Sequence, residues 1–167
     1  MTTPLPDLVP RRHEYFMQLA LEEAAKAAAI GEVPVGAVLV CQGEVVARAH
    51  NTRESQHDPL GHAELTALRE AAKRLGRWRL GGCTLYVTLE PCPMCAPALV
   101  QARVDRIVFG AMDPKAGAAG TVLNLVDRPE FNHRPEVIAG VCEAEAQAVL
   151  KRFFEHRRSG AISGWSD

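Results

Sequence analysis

Apolar residues along the 167-residue chain switch between two spacings, and the switches mark out its elements. From Arg11 to Ile30, Phe16, Leu19, Ala20, Ala24 and Ala27 recur at helical spacing, which predicts an amphipathic first helix. The stretch "EVPVGAVLVCQGEVVARAHN" predicts two strands, Val35–Cys41 and Glu44–His50, joined at Gln42-Gly43 in a hairpin. Both are rich in Val and Ala rather than cleanly alternating. At least one is therefore expected to be buried on both faces.

A loop over 52–61 contains Asp58-Pro59, a helix-entry signal, and Ala63 to Leu75 carries a second helical pattern. "GGCTLYVTLE" predicts a third strand, and Pro91 or Pro93 starts a third helix through Leu99 to Ala102. "RIVFGA" is a fourth strand. "MDPKAGAAGT" reads as a loop, followed by a short helical turn near Val122–Val126. "EVIAG" predicts a short fifth strand. Cys142 to Arg158 closes the pattern with Ala146, Val149, Leu150, Phe153 and Phe154 at helical spacing. Residues 1–10 and 159–167 are expected to be flexible, flanking a single domain over 11–158. The order of elements predicts an α/β fold, a three-layer α/β/α domain on a mixed five-stranded sheet. Crossover helices imply parallel neighbours, while the first pair is a hairpin.

Composition narrows the classes. With 47% apolar and 23% charged residues, a soluble globular domain is expected. No run of about 18 apolar residues exists, so no membrane span is expected. The first residues, "MTTPLPDLVPRRHEY", lack the continuous apolar stretch of a secretory signal. Five cysteines, Cys41, Cys83, Cys92, Cys95 and Cys142, form an odd and thinly spread set. That argues against a disulfide-stapled scaffold and for the reducing cytoplasm. A net charge of -1 excludes a uniformly basic protein held on nucleic acid by counterion release alone. Any nucleic-acid site has to be a local patch. Two basic clusters qualify, Arg74, Arg77 and Arg79 after the second helix and Lys151, Arg152, Arg157 and Arg158 in the last. Each reads equally as an ordinary solvated helix end.

Two short stretches carry candidate chemistry. Taken alone, Cys92 and Cys95 are open to three readings: metal ligands, a redox pair, or incidental thiols. His62 shifts the balance. If the strands before the second and third helices run parallel, both helix starts reach one edge of the sheet, where ligands bind in open α/β folds. Three ligands, His62, Cys92 and Cys95, leave the fourth position of a tetrahedral zinc open, which marks catalysis rather than structure. Glu64 lies two positions from His62 and cannot stack beside it on a regular helical face. It is either a solvent-facing first-turn carboxylate or a free proton carrier beside an activated water. His62-Ala63-Glu64 together with Pro91-Cys92-Pro93-Met94-Cys95 matches the H-x-E…P-C-x-x-C signature of the zinc-dependent base deaminases.

From about Tyr15 to Arg158 the chain resembles the bacterial tRNA-specific adenosine deaminases. The resemblance is strongest in "EVPVGAVLV", "HDPLGHAE", "LYVTLEPCPMCAPAL" and "FGAMDPKAGAAGTVLN". It implies the cytidine-deaminase-like version of the three-layer fold, with one Zn2+ per subunit on His62, Cys92 and Cys95. It also implies hydrolytic deamination of adenosine to inosine at wobble position 34 of tRNA-Arg. A metal-activated water would attack adenine C6, with Glu64 as the proton shuttle. Asn51 is implied to contact the target nucleoside, Pro34 and Val35 to wall the base pocket, and Ala63 and Leu89 to bound it. Asp113 and Lys115 are implied to follow the anticodon-loop backbone. On the last helix Phe153, or its neighbour Phe154, would stack on a loop base, and Arg157 and Arg158 would meet phosphate. A symmetric homodimer is implied as well. One departure stands out: Met112 occupies a position where relatives commonly carry arginine. A cytosine, cytidine or guanine deaminase with the same zinc chemistry remains an alternative, as does a non-catalytic zinc-containing RNA-binding subunit.

Overall fold

The computed structural model describes residues 8–160. Its elements are α1 (Leu8–Ala29), β1 (Gly36–Cys41), β2 (Glu44–His50), α2 (Ala63–Leu75), β3 (Cys83–Leu89), α3 (Cys95–Gln101), β4 (Arg106–Ala111), β5 (Glu136–Ala139) and α4 (Glu143–Arg158). The sheet has five strands in the order β2-β1-β3-β4-β5. β1 is antiparallel to both of its neighbours, while β3, β4 and β5 are parallel. β2 and β3 therefore run the same way with β1 between them, and α2 is a crossover over that intervening strand.

Three layers follow from where the apolar side chains go. β1 is buried on both faces, as its unbroken Val/Ala run suggests. Val38 and Val40 meet Phe16, Met17 and Ala20 of α1 on one face, together with Tyr86 and Val108. Ala37 and Leu39 meet Ala63, Ala67, Ala96 and Leu99 of α2 and α3 on the other. α4 joins α1 on the first face, where Ala146, Leu21 and Ala111 pack together. The close fit of α1 depends on Gly36: a Cβ there would stand 1.9 Å from the carbonyl oxygen of Ala20. Only glycine lets the helix backbone approach that near.

Several boundaries differ from the sequence expectation. Leu8, Val9 and Pro10 are already helical, so the ordered chain begins before Arg11. Proline is tolerated there because the first helical N–H groups have no intrahelical acceptor. The expected flexibility of 1–7 and 161–167 lies outside the described residues. α3 starts at Cys95 rather than at a proline, because the Cys92 carbonyl accepts from the N–H groups of Cys95 (3.1 Å) and Ala96 (2.9 Å) and folds Pro93-Met94 into a turn. The helical turn expected near Val122–Val126 is absent. An antiparallel bridge between Ala119 and Asn124 replaces it. The Asn124 side-chain oxygen accepts from the N–H groups of Val126 and Asp127, a local bond that competes with a helix. Among the described residues no helix is long and apolar enough to cross a membrane.

Candidate metal centre and active site

The parallel run of β2 and β3 delivers two chain segments to one edge of the sheet. His62 is the N-cap of α2, in extended conformation (φ -84°, ψ 144°), and its side chain makes no capping bond. Its imidazole is thereby left free to meet the turn before α3. The turn before α3 supplies the other half: Nδ1 of His62 lies 3.3 Å from Cys95 Sγ and 3.5 Å from Cys92 Sγ. The three donor atoms lie within 4.8 Å of one another. A tetrahedral zinc, with Zn–S near 2.3 Å and Zn–N near 2.0 Å, holds nitrogen and sulfur about 3.5 Å apart. The donor set therefore fits zinc in both chemistry and spacing. Two thiolates and an imidazole favour that ion over harder cations.

The protonation pattern is uneven. Cys92 is drawn down to about 3, chiefly by a hydrogen bond from the Cys95 thiol, with further help from His62 and the N–H groups of Cys95 and Met94. Cys95 is pushed up by that same bond to Cys92 and by burial. The two thiols therefore differ: Cys92 is the thiolate, and one proton stays on Cys95 until a cation displaces it. His62 is raised, first by its bond to Cys92. The imidazole's Nε2 finds no hydrogen-bond partner among the described residues.

Glu64 is not a solvent-facing first-turn residue. It is 4% exposed, and burial pushes its carboxyl up to about 7, opposed by its own backbone bond and by His62. The carboxyl also bonds the Cys95 thiol. His62 and Glu64 share one cavity of about 220 Å3 with Cys92, Asn51, Val35, Ala63, Leu89 and Asp113. Asn51 is buried, and among the described residues its Oδ1 has no partner, while Nδ2 makes only a 3.5 Å contact with the Val33 carbonyl. Asn51 lines the cavity, and a buried acceptor without a partner is unusual enough to mark a ligand contact there.

The remaining expected site residues divide. Pro34 does not line the cavity, whereas Val33 and Val35 do: the Val35 N–H donates to the Val33 carbonyl at 2.8 Å, a tight turn centred on Pro34. Lys115 lines an adjoining apolar groove of about 360 Å3, together with Met112, Leu150 and Phe154. Phe153 is corrected: it is 5% exposed and packed inside, leaving Phe154, 38% exposed, as the available ring. Arg157 and Arg158 end α4, the helix that carries Phe154 beside that groove. The first basic cluster lies elsewhere. It follows the C-terminal end of α2, about 18 Å along the helix from His62. There Arg74 donates to the Val46 carbonyl and Arg77 to the carbonyls of Arg79 and Gly81, so these are local structural bonds.

Residues the sequence did not flag also line the cavity: Val33, Arg53, Ala116 and Glu90. Glu90 is 2% exposed and accepts from the N–H groups of Ala119 and Thr121 and from the Thr121 hydroxyl, pinning the loop after β4 against the metal turn. Its position directly before Pro91 was the available signal.

The family model for the cytidine and deoxycytidylate deaminase zinc-binding region matches residues 10–111, and the chain belongs to this family of zinc-dependent deaminases. Within it the chain is homologous to the bacterial tRNA-specific adenosine deaminases. It is 54% identical over 145 residues to that of Bacillus subtilis, covering 87% of this chain and 90% of the relative. To that of Aquifex aeolicus it is 46% identical over 149 residues, covering 89% and 98%. A solved structure from a study of A-to-I editing by tRNA:A34 deaminases at the wobble position of transfer RNA matches with a TM-score of 0.79 at 46% identity. That match covers 81% of this chain and 99% of the other.

Proposed function

We propose that this protein deaminates adenosine to inosine at wobble position 34 of tRNA-Arg, hydrolytically and with zinc. One observation carries the reading: a cluster of three zinc-type donors, His62, Cys92 and Cys95, presents two of them to a cavity that the buried Glu64 carboxyl and Asn51 also line. The homology to tRNA-specific adenosine deaminases supports adenosine in tRNA as the substrate.

His62, Cys92 and Cys95 hold the ion. When bound, zinc supplies a Lewis acid that makes water nucleophilic near neutral pH. Glu64 takes one proton of the water as its oxygen adds to C6 and delivers that proton to N1 of adenine. It then moves the second proton, from the hydroxyl now on C6, to the exocyclic amine, so that the C6–N6 bond breaks, C6=O forms and ammonia leaves. Asn51 Oδ1 accepts from a donor on the target nucleoside and fixes its orientation. Val35, Ala63 and Leu89 exclude water around the base. An anticodon loop is single-stranded, so extruding its base costs less than in a duplex.

Asp113 and Lys115 follow the RNA backbone along the groove, Phe154 offers a stacking face, and Arg157 and Arg158 extend the basic rim. A symmetric homodimer in the cytoplasm completes the proposal. Support for the dimer comes from an apolar groove of about 400 Å3 along α2 and α3, bordered by Leu65, Leu68, Ala72 and the exposed Trp78. The test is a panel: an anticodon stem-loop with adenosine at 34, cytidine, cytosine and guanine, each assayed for ammonia release. Turnover confined to the stem-loop is expected; turnover of a free base or of cytidine in its place overturns the substrate assignment.

A further inference from the structure

Arg53 stands at the cavity as a cation without an assigned task. It lines the same space as His62, Glu64 and Asn51, and among the described residues it is the one lysine or arginine that does. Its guanidinium is exposed and has no hydrogen-bond or ion-pair partner within the described chain. Asp113 also lines the cavity, but its Oδ1 accepts from the N–H groups of Lys115 (2.9 Å) and Ala116 (3.2 Å), and no ion pair joins it to Arg53.

The loop that presents Arg53 is held in place. Thr52 N–H donates to the Gly61 carbonyl at 2.9 Å, and Asp58 N–H to the Arg53 carbonyl at 3.0 Å. The fully buried Glu32 reaches up to accept from the Ser55 N–H at 2.6 Å. Gly61 completes the closure, because a Cβ there would lie 3.0 Å from the Arg53 nitrogen. A guanidinium on a fixed backbone, with all its donors unpaired, is pre-organised for an oxyanion. A free base or nucleoside offers none; a nucleotide within a strand carries a phosphodiester on each side.

We infer that Arg53 is a specificity residue that binds a phosphodiester flanking the target nucleoside, so that the cavity selects a base within an RNA strand. This rests on the RNA reading above. The apolar wall residues, Val33, Val35, Ala63, Leu89 and Ala116, recognise shape alone.

The experiment measures binding of an anticodon stem-loop RNA by fluorescence anisotropy over a salt series, for the zinc-loaded wild type, Arg53→Gln and Arg53→Lys. Inosine formation in the same RNA is followed in parallel. Arg53→Gln is expected to bind about tenfold more weakly at low salt. Its log–log salt slope should be shallower by about 0.7, the value for one phosphate contact on a single strand. Arg53→Lys should recover the slope but not the full affinity, having lost the planar fork. Neutral methylphosphonates placed singly beside the target adenosine supply a cycle: one position should weaken the wild type and cost Arg53→Gln nothing further. Equal affinity and slope for wild type and Arg53→Gln, or a variant as sensitive as wild type at every phosphate, overturns the inference. Wild type that binds without forming inosine overturns the reaction instead, and the same binding cycle still decides Arg53. Wild type that does not bind overturns both.

Discussion

His62 and Cys95 are 33 residues apart in the chain, yet Nδ1 of one lies 3.3 Å from Sγ of the other. They meet because β2 and β3 point the same way and each hands its following segment to the same sheet edge. An ion on these donors ties the start of α2 to the turn before α3. Since such an ion binds the folded chain and has no preformed site in the unfolded one, it should raise the melting temperature. Chelation is expected to abolish turnover and lower the melting midpoint, with both restored by added zinc. A midpoint indifferent to chelator would contradict the site.

Much of this arrangement was legible in sequence, and the misses have local causes. Helical spacing placed α2, and β2 and β4 were bounded correctly, because period and length agreed there. The H-x-E and P-C-x-x-C motifs located the donors because those residues sit at the ends of periodic elements. Pro34 stands outside the cavity wall because the chain turns tightly at it and presents its two neighbours instead, which a motif does not report. Phe153 and Phe154 are adjacent on a helix, and only the packing of α4 decides which ring is buried. Arg53 lines the cavity through a loop closure that no local spacing encodes, whereas Glu90 is marked only by its place before Pro91.

Glu64→Gln keeps the shape of the side chain and removes its capacity to cycle a proton. A fall in kcat of about a hundredfold or more is expected, with zinc content unchanged. Metal analysis beside single-turnover kinetics checks this. Near-normal turnover would remove Glu64 from the mechanism.

Asn51 presents a different balance. Its buried Oδ1 has no partner in the ligand-free chain, so replacing it with an apolar residue should relieve an unpaired acceptor. Asn51→Leu is expected to melt no lower than wild type while kcat/KM for the stem-loop falls at least about tenfold. A clear loss of stability with activity retained would assign Asn51 to the fold rather than to the substrate.

Gly117 sits against Glu90: a Cβ there would stand 2.1 Å from Glu90 Oε2 and 2.6 Å from the Asp113 carbonyl. Gly117→Ala must displace the carboxylate that anchors the loop. A destabilisation of about 1–3 kcal/mol is expected from chemical denaturation. KM for the stem-loop should rise as well, because the same loop carries Asp113 and Lys115. Wild-type stability and KM would show that the anchor is dispensable.

His13 provides a pH signature remote from the metal. Its Nδ1 shares a 2.8 Å hydrogen bond with the Tyr86 hydroxyl. Burial, and then Arg106, hold its pKa below 6.5, with Glu136 opposing and Arg12 assisting. The folded value lies under the unfolded one, so the unfolded chain takes up the proton first as pH falls. The stability His13 contributes is therefore present above pH 6.5 and is lost as pH drops from there to the folded-state value. In His13→Gln, melting curves below pH 6.5 should show a flatter pH dependence than wild type; an identical slope would contradict the assignment.

The most direct measurement is sequencing of tRNA-Arg after incubation with the zinc-loaded protein, since inosine is read as guanosine. Wild type should convert position 34 and no other adenosine, and Glu64→Gln should leave it as adenosine. An unmodified position 34 with fully metallated wild type, or conversion that persists in Glu64→Gln, would contradict the chemistry assigned to this cavity.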